Sequence, residues 1–155
     1  MLVTDSRILR IKCDEIQLDE KNFYIRMLVD VYNSLSGVVG LSAPQIGVHK
    51  KLFLIKTMSG PKIFINPRII WKFGKQDVLE GCMSVEYKYW VKRPMLIFIE
   101  YQDENLKKRK GLFLFNKASV VVHEINHLNG VLISDIGVKS VKNKHFKYGG
   151  IYEKE

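Results

Sequence analysis

Cysteine is scarce in this chain: two residues, Cys13 and Cys82, among 155. At most one bridge can form, which excludes the cross-linked frameworks that small secreted domains use and points to a reducing compartment. Long apolar runs are absent too, and nothing approaches the roughly 18 consecutive apolar residues of a membrane span. The first fifteen residues carry Asp5, Arg7, Arg10, Lys12, Asp14 and Glu15, so no apolar core of a signal peptide stands there. Internal repeats, low-complexity tracts and linkers are also missing. The expectation is a soluble cytoplasmic protein folded as one domain over residues 1–155, with no membrane partner.

What is present fits that frame. The chain is 46% hydrophobic and 26% charged, which is ordinary for a globular protein and far from the composition of disorder. Lys and Arg number 25 against 16 acidic residues, a net charge of +9. Such a balance favours contact with polyanions or acidic surfaces but names no partner.

Tyr24, Met27, Leu28, Val31 and Leu35 recur at helical spacing between Asp19, a candidate cap, and about Ser36. Short strands are expected at Leu52–Ile55, Ile63–Ile65, Ile69–Trp71 and Met95–Tyr101, with a turn at Ser59-Gly60-Pro61. A turn over Gln102–Asn105 leads into Leu106–Phe115, where Lys107–Lys110 suits a solvated edge. Asn116 would cap a second helix running to about Asn129, ended by Gly130. From about residue 136 the chain reads as a basic tail with Lys139, Lys142, Lys144 and Lys147. The pattern is α+β: small mixed or antiparallel sheets packed around the second helix, with one helix near the N-terminus.

Three segments carry chemistry. The second helix holds His123-Glu124-Ile125-Asn126-His127, an H-E-x-x-H arrangement. Histidines at i and i+4 share a helix face and can reach one divalent metal ion, while the glutamate can take a proton from water polarised by it. A half-buried helix with a polar stripe has the same pattern. Two imidazoles do not complete a catalytic site, which usually takes three protein ligands. The longer protease form of the motif would place a histidine where Ile133 stands, and Glu153 and Glu155 are the only glutamates after Glu124. The remaining source is Glu80-Gly81-Cys82-Met83-Ser84, although a lone buried cysteine is commonly inert packing. The third segment, Gly40-Leu41-Ser42-Ala43-Pro44-Gln45-Ile46-Gly47, is a loop able to present one amide side chain.

In this order and spacing the three segments resemble the signature of the peptide deformylases, G-x-G-x-A-A-P-Q, E-G-C-L-S and H-E-x-D-H. The resemblance runs from the first helix to about Asp135. It implies a metal held by Cys82, His123 and His127, with Glu124 as general acid and base. Gln45 and the backbone N–H of Met83 would bind the formyl oxygen. One divalent ion per chain is implied, Fe²⁺ as the native metal, with Zn²⁺, Ni²⁺ or Co²⁺ also suited to the donors. The substrate would be the N-formyl-methionyl end of nascent peptides, which places the work near the ribosome's exit tunnel, and the chain would act as a monomer. By motif position Val39, Val78 and Val120 would line the methionine pocket, Ser119 its rim, and Gly40 and Gly81 would pair with the peptide backbone. Each of these also suits ordinary core.

Four departures from the signature stand out. Val38 occupies the first glycine's position, Ser42 replaces an alanine, Met83 a leucine, and Asn126 the aspartate expected to meet Arg93. The loop around Val38 and Ser42 is therefore expected to differ in shape. The chain also stops before a long C-terminal helix, like short forms carried by some phages, which would set it in a host bacterial cytoplasm. Two other functions suit parts of the sequence. One is a metallopeptidase. The other is an RNA-binding module using the basic runs with Tyr87, Tyr89 and Trp90 as stacking faces.

Overall fold

The structure, a computed structural model, describes residues 1–143. It is α+β, with two antiparallel sheets and few helices. Strands β1 (Gly40–Ser42), β2 (Leu52–Thr57), β3 (Gly60–Phe73), β6 (Leu96–Gln102) and β7 (Lys108–Leu114) form one sheet in the order β1-β2-β3-β6-β7. Strands β4 (Gln76–Cys82), β5 (Val85–Arg93) and β8 (Val138–Lys142) form the other, in the order β4-β5-β8. Helices α1 (Ser6–Leu9), α2 (Lys21–Ser34), α3 (Phe115–Leu128) and α4 (Ile133–Ile136) complete the described residues, with a 3₁₀ turn at Ala43–Ile46.

Alternation along the central strands decides which layer each face meets. In β2, Phe53 and Ile55 join Phe64, Ile97, Ile99 and Tyr101 beneath α3, where Ala118, Val121, Val122, Ile125 and Leu128 close the core. Leu52 and Leu54 point the other way, with Ile63 and Ile65, into a second core that packs Leu28 of α2 and Leu41 of β1. A strand buried on both sides must be apolar at successive positions, which is why Leu52–Ile55 reads as a continuous run. Phe53 and Phe64 stack at 4.6 Å. The helix with both histidines is thus seated on the larger sheet and also touches β5 of the smaller one.

Several expectations change. The segments Ile63–Ile65 and Ile69–Trp71 belong to one strand, interrupted by a register shift beyond Ile65. There Asn66 takes a left-handed φ of 49° and its side chain bonds both the N–H and the carbonyl of Ile16. Pro67 cannot donate to a ladder and falls within that irregularity, which is where a proline is tolerated in a strand. Neither expected helix cap operates: α2 begins after Glu20 and α3 after Leu114, both without a side-chain cap bond. Asn116 lies inside α3. Gly130, with φ 72°, does follow α3, and a Cβ there would meet the carbonyl oxygen of Arg10 at 2.3 Å. The β4–β5 hairpin adds to the expected strands: Val85, Tyr87 and Tyr89 alternate with Glu86 and Lys88 as a strand should, but Trp90 breaks the pattern before Val91.

The stretch read as a basic tail is in part structural. Residues 138–142 pair with β5, Val138 opposite Trp90 and Lys139 opposite Tyr89, as a short and largely exposed edge strand. Lys144 and Lys147, with the rest of the expected tail, lie outside the described residues. Lys108–Lys110 do form a solvated edge: β7 ends the larger sheet and these residues are exposed. No helix among the described residues is long and apolar enough to cross a membrane.

Candidate metal centre and active site

Three elements meet at one cleft of about 350 Å³. The β4–β5 hairpin turns through Met83 and Ser84, with Cys82 and Val85 paired across the turn. Cys82 therefore sits at the tip, buried, with its sulfur 3.3 Å from His127 Nε2. His123 and His127 stand one helical turn apart on α3, and their Nε2 atoms approach to 3.2 Å. All three donor atoms lie within 4.8 Å of one another.

The donor set fits a small divalent ion. Ligands placed tetrahedrally at about 2.0–2.1 Å for nitrogen and 2.3 Å for sulfur would stand about 3.3 Å apart for N···N and about 3.5 Å for N···S. The two close approaches match those edges. Beside them Glu124 is buried, and its Oε2 has no hydrogen-bond partner among the described residues. A carboxylate oxygen left bare in a buried place is costly unless water or a substrate group completes it.

Gln45 reaches the same point from the 3₁₀ turn after β1. The N–H and the hydroxyl of Ser42 both donate to Gln45 Oε1, each at 3.0 Å. The amide nitrogen is thereby turned inward, 3.6 Å from Cys82 Sγ and 3.4 Å from Ser84 Oγ. Ser42, expected to change the shape of its loop, holds Gln45 with a hydroxyl that an alanine would lack. Val38 is buried in the α2 core, and Gly37 before it takes a left-handed φ of 71°. Gly40 has a more direct task, since a Cβ there would stand 2.5 Å from Glu124 Oε1. Only a glycine lets β1 lie flush against that carboxyl.

His123 is held from behind, whereas His127 Nδ1 is buried without a hydrogen-bond partner among the described residues. Glu80, on β4, accepts from His123 Nδ1 at 2.9 Å and from two nitrogens of Arg93 at 2.7 Å each. Arg93 also donates to Asn126 Oδ1, so the expected Arg93–Asn126 contact is present, though Glu80 is the larger partner. Burial alone would raise the Glu80 carboxyl, but hydrogen bonds from Arg93 and His123 outweigh it and hold the pKa near about 2. His123, which burial would lower, is raised to about 10 by its bonds to Cys82 and Glu80. Burial drives His127 well below the usual imidazole value, with the charge of His123 adding to it. Burial lifts Glu124 to about 7 against the opposing charge of His123. By contrast Cys13, which does not line the cleft, is pushed up to about 12 by burial, which marks it as inert packing.

Glu80 escaped the sequence reading as a site residue because its partners lie 13 and 43 positions away. Glu80→Gln leaves the Arg93 guanidinium, 2% exposed, without its anion. Unfolding in urea should show a loss of about 3–5 kcal/mol, as for a broken buried pair. The metal should bind about 10- to 100-fold more weakly by chelator competition. Because Glu80 is lowered, its stabilisation is present above its unfolded value of 4.5 and is lost as pH falls towards about 2. An unchanged urea midpoint would mean Arg93 finds another anion.

Of the residues expected around the substrate, Val39, Gly40, Val78, Gly81 and Val120 line the cleft. Val39 is 60% exposed and forms the rim. Ser119 also lines it but is buried, bonded to Gln76 and to the Phe115 carbonyl, so it belongs to the wall and not the rim. Met83 faces the cleft, and its side chain packs on the α2 core. His127 lies beneath the cleft surface, 1% exposed. Asn143, absent from the sequence reading, also lines the cleft. Ile133, where a protease of the longer motif would carry its third histidine, is buried apolar core, and Glu153 and Glu155 lie outside the described residues. Tyr87 has the Lys139 ammonium 3.5 Å over its ring, so one face of the supposed stacking platform is already covered.

A mixed α+β fold bringing one thiol, two imidazoles and a buried carboxyl to a cleft defines a hydrolase of the kind that acts through a metal-held site. Comparison with known proteins gives the family. The polypeptide deformylase family model matches residues 1–143, and the chain belongs to that family. It is 35% identical to the peptide deformylase of Borreliella burgdorferi, covering 95% of this chain and 92% of that one. It is 38% identical to that of Karelsulcia muelleri, over 87% and 76% respectively. Among solved structures, a Synechococcus elongatus peptide deformylase in complex with actinonin superposes with a TM-score of 0.81 at 31% identity, over 88% of this chain and 79% of that one. A probable peptide deformylase from Synechococcus phage S-SSM7 gives 0.79 at 32%, over 88% and 98%.

Proposed function

We propose that this chain is a metal-dependent hydrolase that removes the formyl group from the N-terminal formyl-methionine of newly made polypeptides. The observation that carries the reading is the convergence of Cys82 Sγ and the two Nε2 atoms within 4.8 Å of one another beside the bare oxygen of Glu124.

Cys82, His123 and His127 would hold the metal, and Glu80 fixes the ring of His123 by accepting its Nδ1–H. A divalent ion bound there supplies positive charge that makes water acidic and polarises a carbonyl. Glu124 Oε2 takes the proton from the attacking water. Its carboxyl, lifted by burial, is a base strong enough for that and an acid strong enough to return the proton. The water oxygen bonds to the formyl carbon, and negative charge develops on the formyl oxygen. The amide of Gln45, aimed by Ser42, and the backbone N–H of Met83 donate to that oxygen. The C–N bond then breaks, Glu124 protonates the leaving nitrogen, and formate and a free methionine amine depart.

The wall of Val78 and Val120, with Ser119 beside it and Val39 at the rim, receives the methionine side chain, while the strand edges at Gly40 and Gly81 pair with the peptide backbone. One thiolate with two imidazoles accepts Fe²⁺, Zn²⁺, Ni²⁺ or Co²⁺, and Fe²⁺ is the resident ion that the resemblance to the family implies. Residues 1–155 act as one catalytic domain, a monomer working on nascent chains near the ribosome in the cytoplasm.

The test is formate release by protein loaded anaerobically with each metal, on formyl-Met and acetyl-Met peptides. The acetyl methyl group would press on Glu124 or Gln45 and move the carbonyl from its donors. A displacement of about 1 Å costs on the order of 10²-fold, so kcat/KM should favour formyl by at least that factor. Equal values for the two peptides would point to a broader amidase, and cleavage of internal peptide bonds to a metallopeptidase.

A further inference from the structure

We propose that Asn143 is a positioning residue for the metal site, a strut from the last described strand that holds the hairpin tip carrying Cys82. The inference rests on Cys82 being a metal ligand.

The tip needs holding. Pairing between β4 and β5 shifts register between Glu80 and Cys82, so the backbone just before the cysteine is outside the regular ladder. The tip borders the cleft on one side, which Gly81, Cys82 and Met83 line. Asn143 follows β8, 61 residues on in sequence, and is 4% exposed. Its Nδ2 donates to the Cys82 carbonyl at 2.8 Å and to the Val85 carbonyl at 3.2 Å, which uses both hydrogens of the amide. Its backbone N–H donates to the Glu86 carbonyl at 2.7 Å. The side chain also lies against Gly81, where a Cβ would stand 3.5 Å from Nδ2. One residue therefore bonds both ends of the turn that contains Met83 and Ser84. A sulfur ligand can be no better placed than its backbone, and supporting groups of this kind set metal affinity by about 10- to 100-fold.

The experiment uses the full chain loaded with Co²⁺, whose thiolate charge-transfer band reports the Cys82 bond directly. Asn143→Ala should release cobalt to a chelator about 10- to 100-fold faster than wild type, with the band weakened or shifted. Asn143→Ser keeps one donor and should fall between, and it supplies the reading if the alanine variant does not fold. Lys139→Ala is the control. It removes the ammonium over Tyr87 and loosens the same β5–β8 pairing away from the tip, so it should lower the melting temperature without altering cobalt release. Wild-type release rates in the folded Asn143 variants, or losses no greater than Lys139→Ala shows at equal melting temperature, would overturn the proposal. A wild-type cobalt protein without the thiolate band would instead remove the reading of Cys82 as ligand, and the strut with it.

Discussion

Glu124→Gln is expected to keep its metal and its fold and to lose about 10²- to 10⁴-fold in kcat. The reason is steric as much as chemical. Glu124 is 4% exposed and lies in a slot that only a glycine at position 40 leaves open, a Cβ there coming within 2.5 Å of Oε1. Glutamine has the same outline and fits the slot, but it cannot accept a proton from water or hand one to the leaving amine. Metal content should be unaffected, because the carboxyl is not among the converging donors.

The same variant has a second readout in the metal-free protein. Burial raises the Glu124 pKa from 4.5 to about 7, so the folded state prefers the protonated carboxyl. Its contribution to stability is full below pH 4.5 and is lost as pH rises through about 7. Glutamine, neutral throughout, should remove that component of the decline, making the variant's apoprotein the more stable of the two above pH 7. Near-normal turnover, or identical stability curves for the two apoproteins, would assign the proton transfer to another group.

How much of this was legible in the sequence depends on the distance over which each residue acts. His123, Glu124 and His127 share a helix face by spacing alone, and the helix carries its own signature in apolar period and terminal glycine. Gln45 and Cys82 had no such local signature, and only the order and separation of three motifs joined them to the histidines. Their contacts then followed from the fold. What stayed hidden is held by pairing between distant segments. Glu80 and Arg93 meet because β4 and β5 are antiparallel neighbours, and the alternation of Val85, Tyr87, Tyr89 and Val91 is broken by the aromatic Trp90 at an intervening position. Asn143 meets Cys82 because five residues of an apparently basic tail pair with β5. An edge strand with two valines and three polar positions has almost the composition of a solvated tail, so only its docking distinguishes it. Ser42 also acts beyond its own position, through a hydroxyl that donates to the side chain of Gln45 three residues on.

Cys82→Ala should lose metal and activity together, which separates it from Glu124→Gln. Without the thiolate, two neutral imidazoles remain, and water is a much poorer third ligand than sulfur for any ion of this softness. Affinity should fall by more than about 10²-fold, since changes to groups that merely support ligands already cost 10- to 100-fold. The fold should survive. Cys82 stands at a hairpin tip, the carbonyl to which Asn143 bonds is backbone, and the loss of one sulfur from the Val85, Val91 and Ile133 cluster should cost about 1 kcal/mol. Cys13→Ala is the matched control. That cysteine is equally buried, but its sulfur belongs to the core under α3 and is absent from the converging donors, so this variant should bind metal and release formate as wild type does. Metal retained in full by Cys82→Ala would leave the two histidines in need of another partner, and the carboxyls that line the same cleft are Glu80 and Glu124. The site would then be a histidine–carboxylate centre, closer in chemistry to a metallopeptidase. Loss of metal in Cys82→Ala alone, with Cys13→Ala intact, ties the thiolate to the ion and the ion to the formyl chemistry.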